Sequence, residues 1–484
     1  MKWRFHLKHV KGTLELLGTI VGRDPERIEN FLDNKLRSWA PALDLLLAKS
    51  MPAQIALLLV RTIGCQRPVF NMRSLPPDLT YTAARFLDDK VRDAVAKKLD
   101  LPFDDPLPRF MLEAPFRQGG MGFPPLTEKR NAAFLSSVFL TMQATKTGTV
   151  LRMMSRNALE HLPTMLHAES ALKSLTTDQL EKAGLPSPCS ISNFVSKAKR
   201  SKDPKHHKLQ SKLQQVLTEV KWSETFNNGT KVQQALLNAR LNPFASSALK
   251  PAPALLTEHY RLTDFQTQFL VAQATSQLPG KMPAICACDS ALDVTHMLCC
   301  KQGESGWLLR HNLLQSSLVG FARVQGLPVE QNVRKSFDDA QQKSKKLEPD
   351  AIIYFPERTL WLDLSITEPT SPSALSRSRI EIGSAMNARA DLKNVKYLRK
   401  AQSMDADFSP LVVETHGRFH AGFITLLKRL ATQLDGGQGL TAREMAVLLN
   451  LDLIKGNAAH AAKVKSRVWM AWHRNKDKRD RQAG

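Results

Sequence analysis

Fifteen residues constrain this chain more than any other stretch. Between positions 286 and 300 stand four of its six cysteines and one histidine, in the order Cys286-x-Cys288-x7-His296-x2-Cys299-Cys300. Thiols and an imidazole at this density form a metal-ligand set rather than a disulfide framework, and such usage fits a reducing compartment. Cys286, Cys288, His296 and Cys300 supply the three thiolates and one imidazole that structural Zn2+ takes in a tetrahedron. Cys299 is the alternative to its neighbour, and His311 is a reserve ligand. Four protein ligands leave no open position, so the expected zinc is structural.

The second constraint follows the first. Pro349-Asp350 leads into an apolar run, Ala-Ile-Ile-Tyr-Phe, then a turn-like Pro356-Glu357, then a second β-type run carrying Asp363. Two such runs about a short turn predict an antiparallel hairpin. A turn centred between Pro356 and Glu357 sets Asp350 opposite Asp363 on one side of it. Opposed side chains stand with Cβ atoms about 4.5–5.5 Å apart. Two carboxylates there repel unless a cation or a proton lies between them, and a hard divalent cation, Mg2+ or Mn2+, is the simplest answer. Its chemistry would be Lewis-acid activation of a phosphodiester and of water. Glu330, after a predicted helix over Leu313–Val324, is a candidate third acid. Past the hairpin, Ser384–Lys400 reads as a helix with Arg389, Lys393, Lys396 and Lys400 in one stripe. Lys393 or Lys396 is the candidate to orient water or to offset developing charge. Arg310, His311, Arg389 and Lys400 are candidates for nucleic-acid contact.

The charge balance names the partner class. A formal net charge of +23 and a pI near 9.8 favour a polyanion, because neutralised phosphates release counterions. DNA and RNA are the expected partners. The charge is spread along the chain rather than set on one amphipathic helix, which argues against a membrane surface. Apolar content of 43% excludes wholesale disorder. No apolar run reaches transmembrane length and no secretory signal stands at MKWRFHLKHVKG, so an intracellular place is expected.

Elsewhere the pattern is mostly helical. Leu16–Gly22 reads as a short strand and Asp24-Pro25 as a helix start. Beginning inside a strand-turn-helix unit reads as the tail of a larger protein or a clipped reading frame. Phe86-Leu-Asp88-Asp89 imitates a polymerase acid pair, but it lies in a helix-period run and reads as helix-surface acids. Gly119-Gly120-Met-Gly122 lacks the strand and Lys-Ser/Thr of a phosphate cradle and reads as a tight turn. Lys197–Lys212 is a basic linker, Phe408–Glu414 a strand, Phe423–Gln433 a helix and Asp435–Gly437 a loop. Lys463–Arg481 holds eight Lys/Arg against two Asp with Trp469 and Trp472, a basic aromatic tail suited to single strands or phosphates.

Cys-x-Cys, His-x3-Cys, Arg310-His311-Asn312, Pro349-Asp350 and Asp363-Leu-Ser-Ile-Thr together resemble the C-terminal region of non-LTR retrotransposon proteins that carry a restriction-like endonuclease. The resemblance implies a zinc knuckle before a PD-(D/E)XK-class nuclease, with Asp350 and Asp363 as metal-binding acids. Ser365 stands where the strict motif has lysine, so the resemblance points to the variant with lysine on a following helix, Lys393 or Lys396. Gln54, Arg61, Arg67, Arg73-x-x-Pro76-Pro77, Arg117-x-Gly119-Gly120-x-Gly122 and Phe408–Gly417 are similar to flanking parts of such proteins. The polymerase aspartates would then lie upstream of residue 1.

The expected fold is α+β, with a mainly helical N-terminal half and a C-terminal α/β restriction-endonuclease-like domain with a small mixed sheet. The expected segments are a palm-like end (1–50), a helical thumb-like region (51–165), a helical and basic linker region (166–280), a zinc knuckle (281–312), the nuclease domain (313–435) and a basic tail (436–484). Two functions compete: a divalent-metal DNA endonuclease that nicks a target for element insertion, acting in the nucleus, and a nucleic-acid-binding remnant without turnover. A purely structural zinc protein is the third reading.

Overall fold

The computed structural model describes residues 13–22, 24–144, 162–185, 190–200, 208–250, 258–303, 305–332, 348–433 and 439–483. The N-terminal MKWRFHLKHVKG, Cys189, the Asp435–Gly437 loop and residues 201–207 of the basic linker lie outside them. The fold is mixed α+β, predominantly helical, with one small mixed sheet in the C-terminal half. Two compact units divide the described residues. The first draws on residues up to Met51, Ile55–Lys98 and Gly122–Thr225; the second on Pro52–Gln54, Leu99–Met121 and Phe226 onward.

In the first unit, the expected single strand over 16–22 is instead a hairpin. β1 (Thr13–Leu16) pairs with β2 (Thr19–Gly22), because Leu17 and Gly18 both take positive φ, 50° and 78°, and turn the chain back. Asp24 caps the following helix, Pro25–Arg37, by accepting from Arg27 N at 3.2 Å. Asp88 and Asp89 are helical acids, within Pro77–Leu99. Asp88 accepts from Leu126 N (2.7 Å) and Thr127 N (3.0 Å), so it caps the helix Leu126–Ala144.

The second unit holds the knuckle and the sheet. Its Gly119 belongs to a turn, as read. A Cβ there would meet Arg240 O at 2.4 Å, and the buried Arg240 guanidinium donates to the Gly119 carbonyl from Nε (2.9 Å) and Nη2 (2.7 Å). Short helix α1 (Val294–Cys299) leads to α2 (Gly306–Val324), which starts about two turns before the expected Leu313. The sheet follows in the order β3 (Val329–Gln331), β4 (Ala351–Tyr354), β5 (Thr359–Thr367), then α3 (Ser384–Gln402) and β6 (Ala406–Glu414). β3–β4 and β4–β5 are antiparallel and β5–β6 is parallel, with α3 as the crossover that parallel pairing requires. Ala351 pairs with Leu362 and Tyr354 with Thr359, the register of a turn centred between Pro356 and Glu357.

Alternation gives the sheet two buried faces. On one, Ile353, Leu360, Leu362, Leu364, Leu411 and Val413 pack against Leu314 and Leu318 of α2. Phe423 and Leu427 of α4 (Ala421–Ala431) and Met445 and Leu449 of α5 (Ala442–Ala483) complete that core. On the other face, Ile352 and Trp361 meet Ala401, and Val412 meets Met386 and Ala390 of α3. The stretch expected as a basic tail is helical over residues 442–483, and Ala458, Ala461, Val464 and Val468 of that helix are buried. Apolar side chains at helical spacing bury one side of this helix as far as Val468, whereas Met470 and Trp472 are exposed.

Candidate functional site

The knuckle is built by two local devices. Asp289 takes φ 64°, which closes a tight loop in which Cys286 N donates to Ser290 O at 2.8 Å, so Cys286 and Cys288 face the same side. Asp293 then caps α1, accepting from His296 N at 2.6 Å, and Cys300 N returns to His296 O at 2.8 Å. One helical turn therefore brings His296 and Cys300 together. The four ligand atoms of Cys286, Cys288, His296 and Cys300 all lie within 4.8 Å of one another. Sγ–Sγ separations are 3.6 Å (Cys286–Cys300) and 3.8 Å (Cys288–Cys300), and Cys288 Sγ lies 3.3 Å from His296 Nε2. A tetrahedron with Zn–S bonds of about 2.3 Å has S–S edges of about 3.8 Å. The set fits a metal such as zinc. Cys299 is exposed beside it, and His311 lies elsewhere.

His311 lies on the acid pair. Asp350 stands one residue before β4, next to the Ala351–Leu362 pair, and Asp363 follows Leu362 in β5. The Leu364 N–H donates to Asp350 Oδ2 at 2.6 Å, and His311 Nε2 of α2 lies 3.2 Å from the same oxygen. Gln315, one turn further along α2, donates to the Asp350 main-chain oxygen. Burial works against protonating His311, but the hydrogen bond to Asp350 and the charge of that carboxylate prevail and raise its pKa.

Asp363 is 3% exposed, in a strand with neighbours on both sides, on the face that α3 covers. A buried carboxylate needs a partner, and Lys393 Nζ of α3 forms an ion pair with it. The stripe thus divides. Lys396 Nζ donates instead to the Tyr397 hydroxyl at 2.9 Å, and that hydroxyl reaches Glu348 O at 3.3 Å. Burial, then the charge of Asp363, pushes the Tyr397 hydroxyl up. Arg389 Nε donates to Ser365 Oγ at 3.4 Å, so a cation does approach the motif position that serine occupies. Lys400 lies in the last turn of α3.

Two candidates are placed elsewhere. Glu330, on β3 opposite Ile352, accepts from the Tyr354 hydroxyl at 2.8 Å, toward the far end of β4 from Asp350. Arg310 is not on the surface. Its guanidinium is buried and donates to Asn457 Oδ1 of α5 at 3.0 Å, because α2 turns that face into the core.

A buried polar cluster went unread in the sequence. Glu368, just past β5, accepts from Thr370 N (2.9 Å) and from the hydroxyls of Thr370 and Thr415, with His416 Nε2 at 3.7 Å. Burial would raise its pKa, but the hydrogen bond and charge of His416, then the threonines, hold it at about 2. Thr370 Oγ1 also meets Thr295 Oγ1 of α1 at 2.7 Å, which ties the knuckle helix to the end of the sheet. No motif marks this cluster, because its members come from three separate segments.

The site thus offers two carboxylates, a lysine and an imidazole at the start of β4 and the middle of β5, and the four-ligand knuckle precedes it in the chain. Such groups can orient water and carry protons. No protein-family model matches the chain, and no curated protein matches it.

Proposed function

We propose that this chain is a divalent-metal-dependent DNA endonuclease. The observation that carries the reading is the convergence of Lys393 and His311, from two different helices, on Asp363 and Asp350. An ammonium and an imidazole thus reach two carboxylates that stand on either side of the hairpin at its Ala351–Leu362 end.

Asp350 and Asp363 would hold Mg2+ or Mn2+, which when bound polarises the phosphodiester and lowers the pKa of water. Lys393 positions the attacking water through one amino hydrogen and offsets the charge that grows on the phosphate. His311 fixes the orientation of the Asp350 carboxylate. Water adds to phosphorus, one P–O bond breaks, and the leaving oxygen takes a proton, giving a hydroxyl and a phosphate monoester. Among the described residues no helix is long and apolar enough to cross a membrane. The net charge of +23 suits a nucleic-acid substrate.

The finer reading is a restriction-like fold of the kind found in non-LTR retrotransposon proteins, with a structural zinc knuckle ahead of it. The motif order and a mixed sheet with helices on both faces support it. The competing reading is a nucleic-acid-binding protein without turnover, favoured by one feature: the Lys393 ammonium is already neutralised by Asp363. Nicking of supercoiled plasmid in Mg2+ or Mn2+ decides between them. The endonuclease reading expects open-circle product that disappears in Asp363→Ala.

A further inference from the structure

The face of α2 that reaches Asp350 continues beyond it. Gln315 and His311, one turn apart, both contact Asp350. Trp307 is the next residue in that column, and residues at this spacing stand about 5–6 Å apart. It is 57% exposed, and Leu308 and Leu309 beside it are 43% and 40% exposed.

The backbone beneath this indole is firmly seated. Gly303 and Gly306 are buried against His460 of α5, where an added Cβ would lie 2.2 Å and 2.6 Å from the imidazole. Lys463 Nζ of α5 donates to Ser305 Oγ at 2.9 Å, which sets a cation two residues from Trp307. The ring is thus large and solvent-facing, two residues from the serine that Lys463 contacts and one turn from the histidine on Asp350. It is suited to a base, because every base has a face to stack.

We propose that Trp307 is a stacking platform for an unpaired or unstacked base, one nucleotide from the phosphate that the acid pair engages. The assignment rests on the endonuclease reading of that pair and deepens it: the preferred ligand is nucleic acid with a base free of its partner. Stacking carries no charge, so the contact adds affinity without adding to the salt dependence.

The test uses the full chain, without added magnesium, and fluorescence anisotropy of a labelled single-stranded oligonucleotide over a salt series. Trp307→Ala weakens binding roughly tenfold, Trp307→Phe stays near wild type, and the slope of log Kd against log salt is unchanged in both. The phenylalanine variant keeps the test decisive if the alanine variant fails to fold. Wild-type affinity in Trp307→Ala, a loss in Trp307→Phe as large as that in alanine, or a flattened salt slope overturns the platform. Failure of the underlying reading shows separately, as plasmid nicking that survives Asp363→Ala.

Discussion

Lys393 and Asp363 form a buried ion pair across the interface between α3 and β5, with side-chain exposures of 15% and 5%. Burial of this kind decides the energetics. Removing one partner strands a charge, whereas removing both need not. Lys393→Met is therefore expected to destabilise the chain by about 3–5 kcal/mol, and adding Asp363→Asn should restore much of that loss. Urea unfolding of the two single variants and the double variant measures the coupling.

The knuckle makes a ligand-by-ligand prediction. Cys300→Ser should abolish stoichiometric zinc, while Cys299→Ser should leave it in place, because only Cys300 lies within reach of Cys286 and Cys288. Zinc content by atomic spectroscopy of the purified variants tests this. Chelation should lower the thermal midpoint of wild type, since metal affinity is folding free energy in a site of this kind.

Glu368 sets an acid limit. Its carboxyl ionises at about 2 in the folded chain against an ordinary 4.5, so the folded state binds fewer protons between these values. The stabilisation is complete above pH 4.5 and is lost as pH falls toward 2. Its upper size is about 3 kcal/mol. Glu368→Gln should be destabilised by that order at pH 7, and the gap to wild type should close in unfolding curves taken at falling pH.

Glu414 predicts the reverse slope. Burial, opposed by Arg418 and assisted by the charge of Glu368, raises it to about 7 from 4.5. The folded state then holds a proton that the unfolded state has released, and stability falls as pH rises from 4.5 through 7. Glu414→Gln removes that penalty. Relative to wild type it should gain up to about 3 kcal/mol between pH 4.5 and pH 8, read from the same urea curves.

Local rules made the knuckle and the hairpin legible. Cys286 to Cys300 spans a loop and one helical turn, and a short turn fixes the pairing of the strands it joins. The stripe on α3 was legible as a stripe, but spacing cannot tell Lys393 from Lys396. The choice depends on how α3 rotates over β5, which the burial of Met386, Ala390 and Tyr397 sets. His311 at Asp350 is a contact between segments 39 residues apart. Arg310 was misplaced for the same reason: its burial depends on Asn457, far along the chain. The 442–483 helix was hidden by its charge, although Met445, Leu449, Leu453, Ala461, Val464 and Val468 repeat at helical spacing.

Asp350 and Asp363 are the proposed catalytic pair of an endonuclease. Single-turnover nicking of supercoiled plasmid by wild type, Asp350→Ala and Asp363→Ala, in Mg2+ and in Mn2+, tests this assignment most directly. Wild type is expected to give metal-dependent open-circle product, and each variant to lose at least about a hundredfold, the scale of removing one charge-stabilising group from such a site. Cleavage at the wild-type rate in Asp363→Ala, or no metal-dependent cleavage by wild type, would contradict it.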